Sequence, residues 1–273
     1  SVHPDGTYAV VGHDSKVSYV DLMNMTVVNV FNVPEIAGDI VLATNNYAYI
    51  FPQTGQWTDI SCLNLTSGTS AQSSGNSIRH GTKAKLHPSG NYIYGANNGL
   101  SPSDFEKYDI TQGVASYMYD SPYHGDYSFG GNIWISDDGN RLFARSRNVF
   151  ISSANQSTDM TYNGQLTGEK SLVTLDHSNV ANSIFTIEYT GDSWDYIPSN
   201  IVKMYEAEYL TYTGSQTLPD FIVPESGGNF VLIDSEGYYG FFNSDGTKFY
   251  VLVKAREGSG LINDWAVATI DVN

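Results

Sequence analysis

Leu86-His87-Pro88-Ser89-Gly90-Asn91-Tyr92-Ile93-Tyr94, with Phe105-Glu106-Lys107-Tyr108-Asp109-Ile110 and Val114-Ala115-Ser116-Tyr117-Met118-Tyr119 behind it, decides the fold. The apolar run from Thr82 to Leu86 ends in a tight turn. Pro88 presets a negative φ there, and Gly90 supplies the positive φ that closes it. The next three runs carry Tyr, Ile, Phe and Val at strand spacing. Four short strands in about 40 residues make one antiparallel meander, the size of a propeller blade.

The unit recurs outward in both directions. His3-Pro4-Asp5-Gly6 leads into Thr7 to Val11, and Val17 to Leu22 follows as a third strand. Asp137-Asp138-Gly139-Asn140 leads into Arg141-Leu142-Phe143, and Asn243 to Gly246 leads into Thr247 to Val251, with Trp265 to Val272 behind. Two weaker copies lie at Asn45 to Phe51 with Asp59 to Leu65, and at Ser178 to Ile187 with Ile201 to Tyr205. The turns fall at Gly6, Asn46, Gly90, Gly139, Asn179 and Gly246. The last interval is long enough for an insertion between Pro219 and Glu236. The predicted fold is all-β, a β-propeller of four-stranded antiparallel blades with six readable repeat cores. Residues 1–273 read as one propeller domain.

The first repeat lacks an innermost strand and the last stops after its third. The reading therefore gives three strands, four blades of four, and three more. Unpaired strand edges invite aggregation. The expectation is a domain excised from, or incomplete relative to, a larger chain, with flanking residues or a neighbouring chain filling the gap.

Composition bounds function. Net charge is −16 and only 15% of residues are charged. Nucleic-acid binding needs a basic footprint that this chain lacks, and docking on anionic lipid is disfavoured for the same reason. No run of 18 apolar residues exists, so no helix is expected to insert in a membrane. Cys62, the single cysteine, sits in an apolar strand and reads as a core residue. No phosphate loop, dinucleotide fingerprint or hydrolase elbow occurs, and no cofactor is expected.

The candidate site residues are Arg79, His80, Tyr123, His124 and Asp126. His80 and His124 are one repeat apart, each in a connector before an innermost strand, and such connectors surround one mouth of a propeller channel. One reading is a metal or small-ligand site; the other is repeat-encoded loop packing. His3 and His87 belong to turns. Asp21, Asp109 and Asp271 recur at the end of the third strand and are expected to cap the next hairpin. Glu206 and Glu208, at period two, are expected on one strand face. Trp57, Tyr123, Tyr127, Trp194 and Tyr196 lie near loops, where aromatic rings stack on sugars or pack the fold.

The repeated turn, the strand after it, and Val17-Ser18-Tyr19-Val20-Asp21-Leu22 resemble the YVTN-type repeat of bacterial β-propellers. The resemblance covers nearly the whole chain. It implies a seven-bladed parent fold and an exported, extracellular or cell-surface protein. The lack of a catalytic signature and the acidic, charge-poor composition lead to the expectation of a non-enzymatic module that binds a protein or glycan, within a larger surface assembly. The alternative is a propeller hydrolase or lyase, lactonase-like and metal-assisted, with its site at the channel mouth.

Overall fold

In the computed structural model, residues 1–191, 196–224 and 227–272 are described, and no helix occurs among them. The quoted stretch forms four strands, Lys83–Leu86, Tyr92–Ala96, Phe105–Asp109 and Ser116–Asp120, hydrogen-bonded in that order. The turn closes as its residues require. The Gly90 N–H donates to the His87 carbonyl at 2.8 Å, and Gly90 sits at φ +73°.

Among the described residues, this is the third of six sheets of three or four strands in chain order. The first has three strands, Tyr8–His13, Lys16–Asp21 and Thr26–Asn32. The second runs Ala37–Leu42, Tyr47–Pro52, Ser61–Asn64, Ser70–Gln72. The fourth runs Ile133–Ile135, Arg141–Ala144, Asn148–Ile151, Tyr162–Gln165. The fifth runs Leu172–Ser178, Ser183–Thr190, Ile197–Glu206, Thr211–Thr217. The sixth has three strands, Ser235–Phe242, Lys248–Ala255 and Trp265–Asp271. Consecutive antiparallel strands in every sheet give the meander that the turns foretell.

One hydrogen bond marks the repeat. The residue after the third strand of the repeat donates its N–H to the carbonyl of the residue just before the second; in the first sheet, whose three strands match the repeat's second to fourth, these are its second and first strands. The six pairs are Leu22 to Thr7, Leu65 to Asn46, Ile110 to Asn91, Ser152 to Asn140, Ala207 to Asn182 and Val272 to Thr247. The side chain ending the third strand caps the turn that follows. Asp21 accepts from the N–H groups of Met23 and Asn24, Asn64 from those of Thr66 and Ser67, and Asp109 from that of Thr111. Asp271 ion-pairs with Lys248 at 2.7 Å.

The structure corrects other details. Glu206 ends its strand, but Glu208 lies in the next turn and donates its N–H to the Glu206 carboxylate. Their period-two spacing therefore marks a capped turn. In the fifth repeat the positive φ falls on Asn182 and is absent at Asn179. The insertion is a hairpin of Phe221–Pro224 and Phe230–Ile233. A further short pair, Trp57–Thr58 with Ile78–Arg79, has no counterpart in the sequence reading. Asp192, Trp194 and Asp195 lie outside the described residues.

The chain forms two compact units. The first comprises residues 1–135, 139–144 and 150–162. Its core is built from sheet faces. Val10 and Val17 pack with Leu42, Ile50 and Leu63, and Tyr49 and Phe51 with Ile93 and Tyr108. Tyr94 and Phe105 pack with Leu142 and Phe150. The second unit comprises residues 136–138, 145–149 and 163 onward. There Phe185, Ile187 and Val202 pack with Phe249, Val251 and Ile270. Each such fully buried side chain contributes roughly 1.5–3 kcal/mol of hydrophobic stabilisation.

Candidate functional site

All five sequence candidates lie in the first unit. The antiparallel hairpin Phe105–Asp109 with Ser116–Asp120 sets Glu106 opposite Asp120, so the start of one strand adjoins the end of the next. Asp104 precedes that hairpin and His124 follows it. Ligand atoms of Asp104, Asp120 and His124 all lie within 4.8 Å of one another. His124 Nδ1 stands 3.7 Å from the Asp104 carboxylate, and the His124 side chain is 70% exposed.

Burial is the main force on Asp104. It pushes the carboxyl up to about 6 against the pull of hydrogen bonds from Ser121 and the Phe105 amide, while Asp120 adds repulsion. Burial raises Glu106 as well, with hydrogen bonds from Tyr108 and Asn97 opposing it. Three carboxyl groups and one imidazole thus share one end of the third sheet. Asp104 is buried, while Asp120 and His124 are exposed, and burial favours the protonated form of the Asp104 and Glu106 carboxyls.

Arg79 and His80 are placed otherwise. Arg79 is the last residue of its short strand; it donates to the Gln56 carbonyl at 3.1 Å and lies over the Trp57 ring. His80 Nδ1 is buried with no hydrogen-bond partner among the described residues. His80 reaches its innermost strand, Lys83–Leu86, through Gly81 and Thr82 alone. His124 reaches Ile133–Ile135 through a longer connector that includes Gly130 and Gly131. The two histidines are therefore not positional twins, despite their one-repeat spacing. Asp126 is exposed and stands outside the Asp104–Asp120–His124 group.

Tyr123 opens an aromatic cluster. Its ring meets Tyr127 edge-on at 4.7 Å, and its hydroxyl accepts from the Tyr162 N–H at 3.0 Å. Tyr127 and Tyr162 stack at 4.3 Å, nearly parallel, and Tyr162 is exposed. Beneath them Phe129 and Phe150 stack, and Phe105 meets both edge-on, all three buried.

Deeper in the same unit, Lys107 and Asp159 form a dry ion pair at 2.7 Å. Lys107 Nζ also donates to the Ser153 carbonyl and lies over the rings of Tyr92 and Tyr94. Asp159 accepts from the hydroxyls of Tyr94 and Tyr119 and from the Ser153 amide. Each charged group has its partners, which is what a buried pair requires to be tolerated.

Asp104, Glu106 and Asp120 escaped the sequence reading. The signal was present: in a tight antiparallel pair, the first residues of one strand face the last residues of the next.

No family model matches the chain, and no curated protein matches it. Solved structures do, in 1174 chains, so the fold is widespread and by itself selects no function. One is Kuenenia stuttgartiensis hydrazine synthase, similar over 99% of this chain and 85% of that one, with TM-score 0.67 and 16% identity. Sheets of four antiparallel strands, repeated along the chain and matched to that structure, make this an all-β fold of the β-propeller type.

Proposed function

We propose that the chain is a non-catalytic binding module, of the YVTN-repeat kind, exported and displayed at a bacterial surface, with a glycan or protein as its partner. The observation that carries the reading is the stacked Tyr127–Tyr162 pair: Tyr127 lies in the connector that also bears Tyr123, His124 and Asp126, and Tyr162, exposed, opens the strand Tyr162–Gln165. A paired aromatic surface offers a sugar ring an apolar platform at small entropic cost. Carboxylates nearby accept hydrogen bonds from hydroxyl groups. The pair favours a glycan over a protein partner. Glycan-array binding followed by saturation-transfer NMR is the test. Tyr162→Ala should abolish a signal seen with the parent protein. Retention of that signal in the variant, or no glycan bound at millimolar concentration, sinks the glycan reading.

One observation favours a second reading, a metal-assisted hydrolase or lyase acting on lactones or esters. Asp104, Asp120 and His124 present a converging oxygen, oxygen and nitrogen set. In that role they would hold a divalent cation, which supplies Lewis acidity toward a carbonyl. Turnover of a lactone, lost in His124→Ala, would establish it in place of the binding module.

A further inference from the structure

The second unit includes a turn with two arginines, Arg145-Ser146-Arg147. Arg147 holds φ at +76°, a conformation that glycine or asparagine adopts more easily. Its side chain gives the reason for an arginine there. The Arg147 guanidinium donates to the Leu166 carbonyl at 3.3 Å and to the Gly168 carbonyl. The backbone completes the clamp. The Leu166 N–H donates to the Arg147 carbonyl, and the Leu172 N–H donates to the Arg145 carbonyl. Further along the same connector, the Ser171 carbonyl accepts from the Tyr189 N–H at 2.9 Å. Main-chain hydrogen bonds thus tie the turn to the connector, and the connector to the strand that bears Tyr189.

Arg145 is placed by aromatic rings. Its guanidinium lies 5.0 Å from the Tyr189 ring centre and 5.3 Å from that of Tyr196, and the two rings meet edge-on at 5.4 Å. Tyr189 stands near the end of Ser183–Thr190 and Tyr196 just before Ile197–Glu206, and the pairing of Thr190 with Ile197 brings them together. Other cations of this unit are neutralised: Lys203, Lys248, Lys254 and Arg256 each pair with a carboxylate. The Arg145 guanidinium forms neither an ion pair nor a hydrogen bond among the described residues. Its donors are not buried, unlike the Nε of Arg147. In a chain of net charge −16, a cation held in place and left without an acid is an exception. Beside it, Tyr196 is 63% exposed.

We infer that Arg145 and Tyr196 form a binding site for a uronic-acid sugar, with the carboxylate on Arg145 and the sugar ring on Tyr196. A guanidinium presents paired N–H donors that match both oxygens of a carboxylate. The two tyrosine rings hold that fork in position, which lowers the entropic cost of binding. The part of the Tyr196 ring that Arg145 leaves open is an apolar platform for the C–H face of a pyranose. A phosphate dianion fits less well, because the negative field of the chain opposes each added charge and a single guanidinium faces it. An acidic peptide offers the carboxylate without a pyranose face for Tyr196. The site uses none of the residues of the Tyr127–Tyr162 reading and stands or falls without it.

The test is calorimetric titration of the chain with digalacturonate and with its methyl ester, which keeps the rings and loses the charges. The acid should bind ~10-fold or more tightly than the ester, through the charge-assisted fork. That preference should shrink as salt is raised. Arg145→Gln should abolish the preference. Arg145→Lys keeps the charge and loses the fork, so it should retain only part of the preference. Tyr196→Ala should weaken the acid while the melting temperature stays within a few degrees of the parent. If Arg145→Gln fails to fold, Arg145→Lys and Tyr196→Ala decide. Equal affinity for acid and ester overturns the inference, as does an unaltered preference in the Arg145 variants or no binding of the acid at millimolar concentration. So does triglutamate bound as tightly as the sugar, which would assign the fork to a protein carboxylate.

Discussion

Asp104 carries an electrostatic cost that pH exposes. Its carboxyl titrates at about 6 in the folded chain, against 3.8 as the ordinary value, because burial disfavours the charge. Between those two pH values the folded chain binds more protons than the unfolded one. Stability from this group therefore falls as pH rises from about 4 to about 6, then levels. Asp104→Asn removes the charge and keeps an acceptor for the Phe105 amide. Relative to the parent, this variant should gain stability across that window, by up to about 2 kcal/mol once solvent screening is allowed for. Urea denaturation at pH 4, 5, 6 and 7 measures the difference, and a difference flat with pH rules out the buried-carboxylate account. None of this was legible in the sequence, since Asp104 has the composition of a loop residue beside Ser101, Pro102 and Ser103. Its burial comes from the hairpin partner and the connector folded over it.

Turns and caps are the elements that the sequence announced most clearly. Gly6, Asn46, Gly90, Gly139 and Gly246 all adopt the positive φ that a closing turn residue requires. Asp21 and Asp109 cap the following turns as their recurrence suggested. Asn64 does the same job in the second sheet through two amide hydrogen bonds, those of Thr66 and Ser67. Asn64→Ala should therefore cost about 1 kcal/mol, while Asn64→Asp should cost less, because only the alanine loses the acceptor. Chemical denaturation of the two variants decides it, and equal losses would place the effect outside the cap. The Asp271 carboxylate pairs with Lys248 directly across the ladder. The short pair Trp57–Thr58 with Ile78–Arg79 was illegible in the sequence. Two-residue strands carry no period, and this pair joins segments that flank the third and fourth strands of the second sheet.

At the scale of the molecule, the repeat was readable and the chemistry was not. Strand order and the three-stranded first and sixth sheets follow from where the turns fall. Which connectors converge follows from packing, and there His124 found Asp104 and Asp120, while His80 was placed by a short strand pair of its own. Lys107 shows what such packing does to reactivity. Its ammonium is almost wholly enclosed, bound to Asp159 and the Ser153 carbonyl and faced by tyrosine rings. An acylating reagent reaches that amine only when the third sheet separates from the Asp159 loop. Pulse acetylation read by mass spectrometry should leave Lys107 unmodified while exposed Lys16 reacts at once, and rapid acetylation of both would contradict the enclosure. The amine thereby acts as a chemical clock for large-scale opening: its acylation rate, set against that of a free lysine, counts how often the first unit comes apart.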